Sequence, residues 1–249
     1  MSEYSPIISL VAPCFNEEKN VAELFNRFLL AAKDNNFDVE VVFVNDGSTD
    51  GTQIELEKIS NAFPLNAKII THTENSGIPM SWISGIRKAV GTYVCLIDSD
   101  LQNPPEFVFE LYKSLMASGM DICRGVRVPV RNQSKNRVIM SKALNHILNH
   151  FFGMHSKDNK SGFLIGSKST IESVVVHEGN YKHFQTFIGV SANSKNLKVV
   201  EIDTPFEDRR SGVSFLSGKS MQTIVSVLKD ILIARKEFGS RIQGKALNV

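Results

Sequence analysis

Over its first hundred residues the sequence alternates between short apolar runs that suit strands and segments with helical spacing, an order few folds can absorb. The runs 7–13 (IISLVAP), 39–46 (VEVVFVND), 67–73 (AKIITHT) and 92–98 (TYVCLID) read as strands. Between them, 20–32 sets Val21, Leu24, Phe25, Phe28 and Leu29 on one helical face. The stretch 48–60 reads as a capped helix, and 78–91 opens near Pro79 and closes at Gly91. Strand, helix, strand, helix implies right-handed crossovers and a parallel sheet with helices on both faces. Such sheets bind ligands at the carboxyl ends of their strands.

The second half is less regular. Helices are expected over 106–119, 136–153 and 221–238, the last two amphipathic, and strands over 121–126, 161–167 and 197–209. From 124 to 142 the chain is rich in base: Arg124, Arg127, Arg131, Lys135, Arg137 and Lys142. Asn145, His146, Asn149 and His150 are expected to face solvent or a partner chain. The net charge is only +2, which argues against a nucleic-acid binder. Cys14, Cys95 and Cys123 share no close spacing and read as buried thiols of a reducing compartment. The N-terminus lacks the pattern of a signal peptide, and no run approaches the roughly 20 apolar residues that span a bilayer. The expected location is cytoplasmic, or peripheral on the inner face of a membrane.

Polar and acidic residues collect where the strands end. Pro13, Asn16, Glu17 and Glu18 follow the first strand; Asn45, Asp46, Gly47 and Ser48 close the second. Glu74, Asn75 and Gly77 follow the third, and Asp98 and Asp100 close the fourth. Neither GxGxxG nor GxxxxGK[ST] is present, which disfavours the usual dinucleotide fold and the P-loop NTPases. Two carboxylates one residue apart at a strand end can share a divalent cation, and Mg²⁺ and Mn²⁺ take oxygen ligands jointly with a substrate's phosphates. The competing reading is a turn before Pro104, since aspartate is common in turns. A second acidic cluster on a neighbouring strand, where Asp46 can accept from a base or ribose, favours the cation.

VAPCFNEEKNV, VFVNDGSTDGT, NSGIPMSWISGIRKAVGTYVCLIDSDLQNPPE, DNKSGF and PFEDRRSGVS occur in that order. Together they resemble family 2 glycosyltransferases with the GT-A fold, a Rossmann-like, mostly parallel α/β sheet flanked by helices. The nearest branch is the polyprenol (dolichol) phosphate sugar synthases. The resemblance covers roughly 6–232 and implies a single domain over 1–240, followed by a tail at 241–249. Within the domain, 6–106 would bind the nucleotide sugar and 107–240 the acceptor. It further implies an inverting transfer from a nucleotide diphosphate sugar. Pro13, Asn16, Glu17 and Gly77 would line the donor site and Asp46 would bind base or ribose. Asp98 and Asp100 would hold Mg²⁺ or Mn²⁺ on the diphosphate, with Gln102 beside them. Arg209 would reach the phosphates, and Arg124, Arg137 and Ser141 would lie near the acceptor phosphate.

The sequence departs from that pattern in four places. Asn45-Asp46 replaces a double aspartate, Ser214-Phe215 replaces Ser-Lys, and Leu164 stands where an arginine follows SGF. Where chain-elongating relatives carry a Glu-Asp base, this chain reads YKHFQTF, without a carboxylate. A sugar hydroxyl is a weak acid that generally needs a general base, whereas a phosphate is already ionised. The missing base and the basic segment favour a lipid phosphate acceptor at the membrane surface. His183 and Asp158 remain candidate bases for the alternative, a glycan hydroxyl acceptor in surface polysaccharide assembly. A non-catalytic nucleotide-sugar-binding subunit is a further reading. Partners left open are a second copy of the chain or a membrane protein. Both the 134–153 and the terminal helix could lie on the bilayer by pairing basic with apolar faces.

Overall fold

The computed structural model describes residues 6–129, 135–179, 181–207 and 220–243. The elements are β1 (Ile8–Cys14), α1 (Val21–Asp34), β2 (Val39–Asp46), α2 (Thr52–Ala62), β3 (Ala67–His72), α3 (Gly77–Lys88) and β4 (Tyr93–Leu96). A 3-10 turn (Pro105–Phe107) precedes α4 (Val108–Ser118), β5 (Ile122–Pro129), α5 (Lys135–Phe152) and β6 (Leu164–Ser167). Then come α6 (Lys168–Val175), α7 (Phe184–Ser194), β7 (Val199–Phe206) and α8 (Ser220–Gln243).

The described strands form one sheet in the order β3-β2-β1-β4-β6-β5-β7. All pairs are parallel except those of β6, which runs against both β4 and β5. The expected mostly parallel α/β sheet is therefore present, with one reversed strand. Helices cover both faces, so every residue of β2 is buried. On one face Phe25, Phe28, Phe43 and Phe109 pack with α1 and α4; on the other Trp82, Ile86, Leu148, Phe187 and Phe238 pack with α3, α5, α7 and α8. Each such side chain contributes about 1.5–3 kcal/mol of burial.

The one charge inside VEVVFV has a structural reason. Glu40, fully buried, accepts from Ser9 Oγ (2.5 Å) and the Val90 amide (2.6 Å) and pairs with Lys68 Nζ (2.6 Å). It ties the connection before β4 to β1 and β3.

Two helices escaped the sequence reading. In α7 every residue but Gln185 and Asn193 is buried, so the segment has no polar face to set a periodicity. α6 is only eight residues long. The strand expected over 161–167 begins at Leu164, because Ser161, Gly162 and Phe163 belong to the loop before it. The expected membrane faces are divided. On α5, Leu148 and Phe152 point into the core while Ile147 and Phe151 are exposed. On α8, Ile231 is buried while Leu228 and Leu232 are exposed. No helix among the described residues is long and apolar enough to cross a membrane.

Candidate active site

The loops after β1, β2, β3 and β4 meet on one sheet edge and are sewn together by their own polar side chains. Asn16 adopts a left-handed φ of 58°, which asparagine tolerates, and its Oδ1 accepts from the Thr49 amide (2.8 Å). The Asn16 amide donates to Ser48 Oγ (3.0 Å) and the Glu17 amide to Thr52 Oγ1 (2.8 Å). Glu18 Oε2 accepts from the Gly51 amide (2.9 Å). The Glu17 carboxylate accepts from Asn20 Nδ2 (2.5 Å). Asn16 and Glu17 thus brace the loop that carries the Asn45-Asp46-Gly47-Ser48 turn.

Asp46, almost fully buried, is committed to the next loop. Its carboxylate accepts from the Ser76 amide (2.9 Å), the Gly77 amide (2.8 Å) and His72 Nδ1 (2.7 Å). His72 Nε2 lies 3.1 Å from Ser84 Oγ. Ser76 is the N-cap of α3 and Gly77 its first residue, so a carboxylate from β2 satisfies amides that a helix start leaves open. This explains why α3 begins at Gly77 rather than near Pro79. Gly77 itself holds φ 84°.

The aspartate pair follows β4. Ser99, between them, donates to the Pro13 carbonyl (2.7 Å) and lies 3.2 Å from Cys14 Sγ. Burial pushes the Cys14 thiol up to about 12. Asp98 is half-buried and Asp100 only 5% exposed. Asp100 Oδ1 accepts the Gln102 amide (3.1 Å), closing a turn in which buried Leu101 takes a φ of 61°, a strained value for a bulky residue. Asp98 Oδ1 accepts from Gln185 Nε2 of α7 (3.2 Å). Gln185 is set in place by Gly162 of SGF: a Cβ there would lie 3.0 Å from its Nε2 and 2.7 Å from Trp82. The pair offers only hard oxygen ligands, as Mg²⁺ and Mn²⁺ prefer. No group of three or more His, Cys, Asp or Glu among the described residues could hold a metal. A cation at the pair would therefore complete its shell with substrate oxygens and water.

Gln102, expected beside the aspartate pair, meets Asp100 through its amide and reaches Glu207, after β7, with its side chain. Its Nε2 donates to the Glu207 carbonyl (3.1 Å), and its own carbonyl accepts the Glu207 amide (2.9 Å). Arg209, two residues further, lies outside the described residues.

On the acceptor side the structure revises the sequence reading. Arg124, expected at the acceptor phosphate, is 2% exposed in β5, donating to Ser156 Oγ (3.3 Å) with Glu201 at 3.8 Å. Burial pushes its guanidinium below the usual value, against the opposing pull of Glu201 and Asp158. The strand's inward alternation places it there, while Arg127 points to the edge. Arg127 grips Asp158 with two bonds (2.7 and 2.8 Å) and lies over the Phe206 ring at 5.2 Å. Burial alone would raise the Asp158 carboxyl, but Arg127 outweighs it and holds it below the usual range, which makes Asp158 a poor base. Ser141 accepts from Lys160 Nζ. The backbone of Arg137 lies in α5, and its side chain is outside the described residues. Asn145 and Asn149, expected to face solvent, donate to the Ser156 carbonyl (2.7 and 2.8 Å) and accept from Asn159 Nδ2 (2.8 and 3.0 Å), holding the 156–159 loop. His146 and His150 are exposed.

His183 has a partner that the sequence did not disclose: its Nδ1 lies 3.0 Å from Asp230 of α8. Gln185, Lys160, His72 and Asp230 went unread because each gains meaning only from a residue distant in the chain. A groove of about 640 Å³ lined by Leu29, Leu30, Lys33 and Phe37 borders β2 at Val39, the opposite end of that strand from Asp46.

A family model described as glycosyl transferase family 2 matches residues 9–179. The chain is 32% identical over 222 residues to a dolichol-phosphate mannosyltransferase of Pyrococcus furiosus, covering 86% of this chain and 60% of that one. It is 29% identical over 225 residues to an undecaprenyl-phosphate 4-deoxy-4-formamido-L-arabinose transferase of Pectobacterium carotovorum, covering 90% and 66%. The chain thus spans less than two thirds of the length of its mannosyltransferase relative. Among solved structures, glucosyl-3-phosphoglycerate synthase from Mycobacterium tuberculosis, in complex with Mn²⁺, UDP-glucose and phosphoglyceric acid, superposes with a TM-score of 0.65 at 19% identity. That match covers 92% of this chain and 80% of the other. At this identity the likeness is one of fold, the GT-A fold.

Proposed function

The chain belongs to glycosyltransferase family 2, and from that membership and the site's geometry we propose that it transfers a sugar, with inversion, from a nucleotide diphosphate sugar to a polyprenyl phosphate. One observation carries the choice of acceptor. The side chain that meets Asp98 from α7 is the amide of Gln185, which cannot take a proton, and Arg127 holds the Asp158 carboxyl below its usual range, which weakens it as a base. A phosphate acceptor needs no base. The names of the two curated relatives support the same acceptor class.

In this reading the loops after β1, β2 and β3 hold the nucleotide, with Asp46 fixing the 74–77 wall and its remaining acceptor capacity open to ribose or base. Asp98 and Asp100 bind Mg²⁺ or Mn²⁺ at the diphosphate, as the Mn²⁺ and UDP-glucose of the solved neighbour suggest. The cation would offset charge growing on the leaving diphosphate, an effect worth several kcal/mol. A phosphate oxygen of the acceptor forms the new bond to the anomeric carbon as the bond to the diphosphate breaks, and the electron pair leaves with the diphosphate. Arg127 and Lys160 would hold the acceptor phosphate, with Ser141 beside Lys160. The lipid tail lies in a bilayer that meets the exposed Leu228, Leu232 and Ile233 of α8, flanked by exposed Lys229, Arg235 and Lys236.

The test compares polyprenyl phosphate with a glycan acceptor after donor screening, using one sugar nucleotide throughout. Transfer to the lipid phosphate that survives His183→Ala is expected. Transfer to the glycan alone, abolished by His183→Ala, would move the protein to the hydroxyl-acceptor reading with His183–Asp230 as base.

A further inference from the structure

The inner face of α8 carries two carboxylates seven residues apart, Asp230 and Glu237, which two helical turns bring to the same side. Both are spent on the segment that leads into α7. Glu237 accepts from the Glu178 amide (3.0 Å), the Gly179 amide (3.0 Å) and the Tyr181 hydroxyl (2.5 Å). Asp230, 3% exposed, accepts from the Lys182 amide (3.3 Å), the His183 amide (2.8 Å) and His183 Nδ1 (3.0 Å). The approach is close: a Cβ on Gly179 would lie 2.7 Å from Ile233 and 2.8 Å from Glu237. His183 is the N-cap of α7, and the helix's second residue is Gln185, whose amide meets Asp98. The donors of Glu178, Gly179, Tyr181, Lys182 and His183 are thus fixed by α8, and the first turn of α7 is delivered to Asp98.

We propose that Gln185 and Asp230 are positioning residues for the cation site: Asp230 seats the start of α7, and Gln185 holds the Asp98 carboxylate in the orientation that accepts the ion. The inference rests on the metal reading above. Partners that orient a metal's carboxylate ligands typically change affinity 10–100-fold when removed. Gln185 donates to Asp98 Oδ1, so its loss removes a contact that sets how the carboxylate is turned.

The measurement is Mn²⁺ binding to the whole chain, followed by electron paramagnetic resonance of the free ion, with UDP or GDP present. Gln185→Ala should weaken Mn²⁺ about tenfold while the thermal midpoint moves little, since Gln185 is half-exposed. Asp230→Asn should weaken it in the same direction. The double variant should be no weaker than Gln185→Ala alone, because both act through one contact. A purely structural Asp230 would lower the midpoint and leave Mn²⁺ affinity untouched, and that result overturns the proposal. So does unchanged affinity in Gln185→Ala, which needs no argument about folding. If the wild type binds no Mn²⁺ with either nucleotide, the metal reading itself fails.

Discussion

Gly47→Ala tests how the donor edge is built. Gly47 sits at φ 69°, and a Cβ there would lie 2.6 Å from the Glu74 carbonyl carbon, 2.7 Å from the Asn75 nitrogen and 2.9 Å from Glu74 Cα. All three are backbone atoms, so no rotamer change relieves the contact. The left-handed conformation costs an alanine about 1–2 kcal/mol. Pushing Glu74 and Asn75 away also drags on Ser76 and Gly77, whose amides bond Asp46 at 2.9 and 2.8 Å. Losing one such bond to a charged acceptor costs about 1.5–3 kcal/mol. The sum, about 2.5–5 kcal/mol, is a large part of the about 5–15 kcal/mol that holds a domain folded. Urea unfolding can be followed by the fluorescence of Trp82, the single tryptophan, which is buried in α3 beside this edge. Calorimetry with the nucleoside diphosphate chosen by donor screening reads the binding consequence. The midpoint should fall sharply and affinity should drop at least tenfold. An alanine variant with wild-type midpoint and affinity would refute the account of the turn. Lost stability with unchanged affinity would show that these loops do not form the nucleotide wall.

Asp100→Asn should abolish metal-dependent transfer with little loss of fold, and full activity of the wild type in excess chelator would contradict the cation role. Asp46→Asn puts an amide where His72 and two backbone N–H groups need an acceptor, so stability should fall by about 1–3 kcal/mol together with nucleotide affinity; unchanged calorimetric binding would remove Asp46 from the donor site. His177 is packed among Tyr181, Phe184 and Phe238 with both ring nitrogens unpartnered, and burial lowers it from 6.5 to about 4. Between those values the unfolded chain binds a proton that the folded one refuses, so stability should fall as pH drops from 6.5 towards 4, by about 3–4 kcal/mol at most. His177→Phe should remove that increment, which shows in the difference between the two proteins' pH profiles of unfolding; parallel profiles would exclude it.

The donor half was legible because its chemistry is local. Each strand of 6–106 ends in its own polar cluster, so strand register alone brings Asn16, Asp46, Gly77 and Asp98 to one edge. The acceptor half was not, because its residues act across long separations. Arg124 looked available in a basic run, but the alternation of β5 buries it against Glu201, 77 residues on. Gln185 is an ordinary glutamine in sequence and meets Asp98 across 87 residues. Asn145 and Asn149 fall on a helix face that the sequence could only grade as polar, and a loop that starts beyond the helix's end claims them. The helical spacing of α5 and α8 showed amphipathic segments but not which stripe the core would take.

The reversed strand β6 decides the order in which the chain can assemble. β3, β2, β1 and β4 are joined by crossovers of a single helix each, so their pairing closes small loops and can form early. β5 and β7 pair along eight positions, from Ile122 with Val199 to Pro129 with Phe206, but enclose the whole of 130–198. Among the described residues the two parallel groups touch in the sheet only through four, Leu164–Ser167. Until β6 slides between β4 and β5, the donor half presents β4 as an open apolar edge, Tyr93 to Leu96, that another nascent chain could pair with. The β4–β6 ladder is therefore also the one that guards against aggregation, and slow synthesis of the 107–167 stretch would lengthen the exposure.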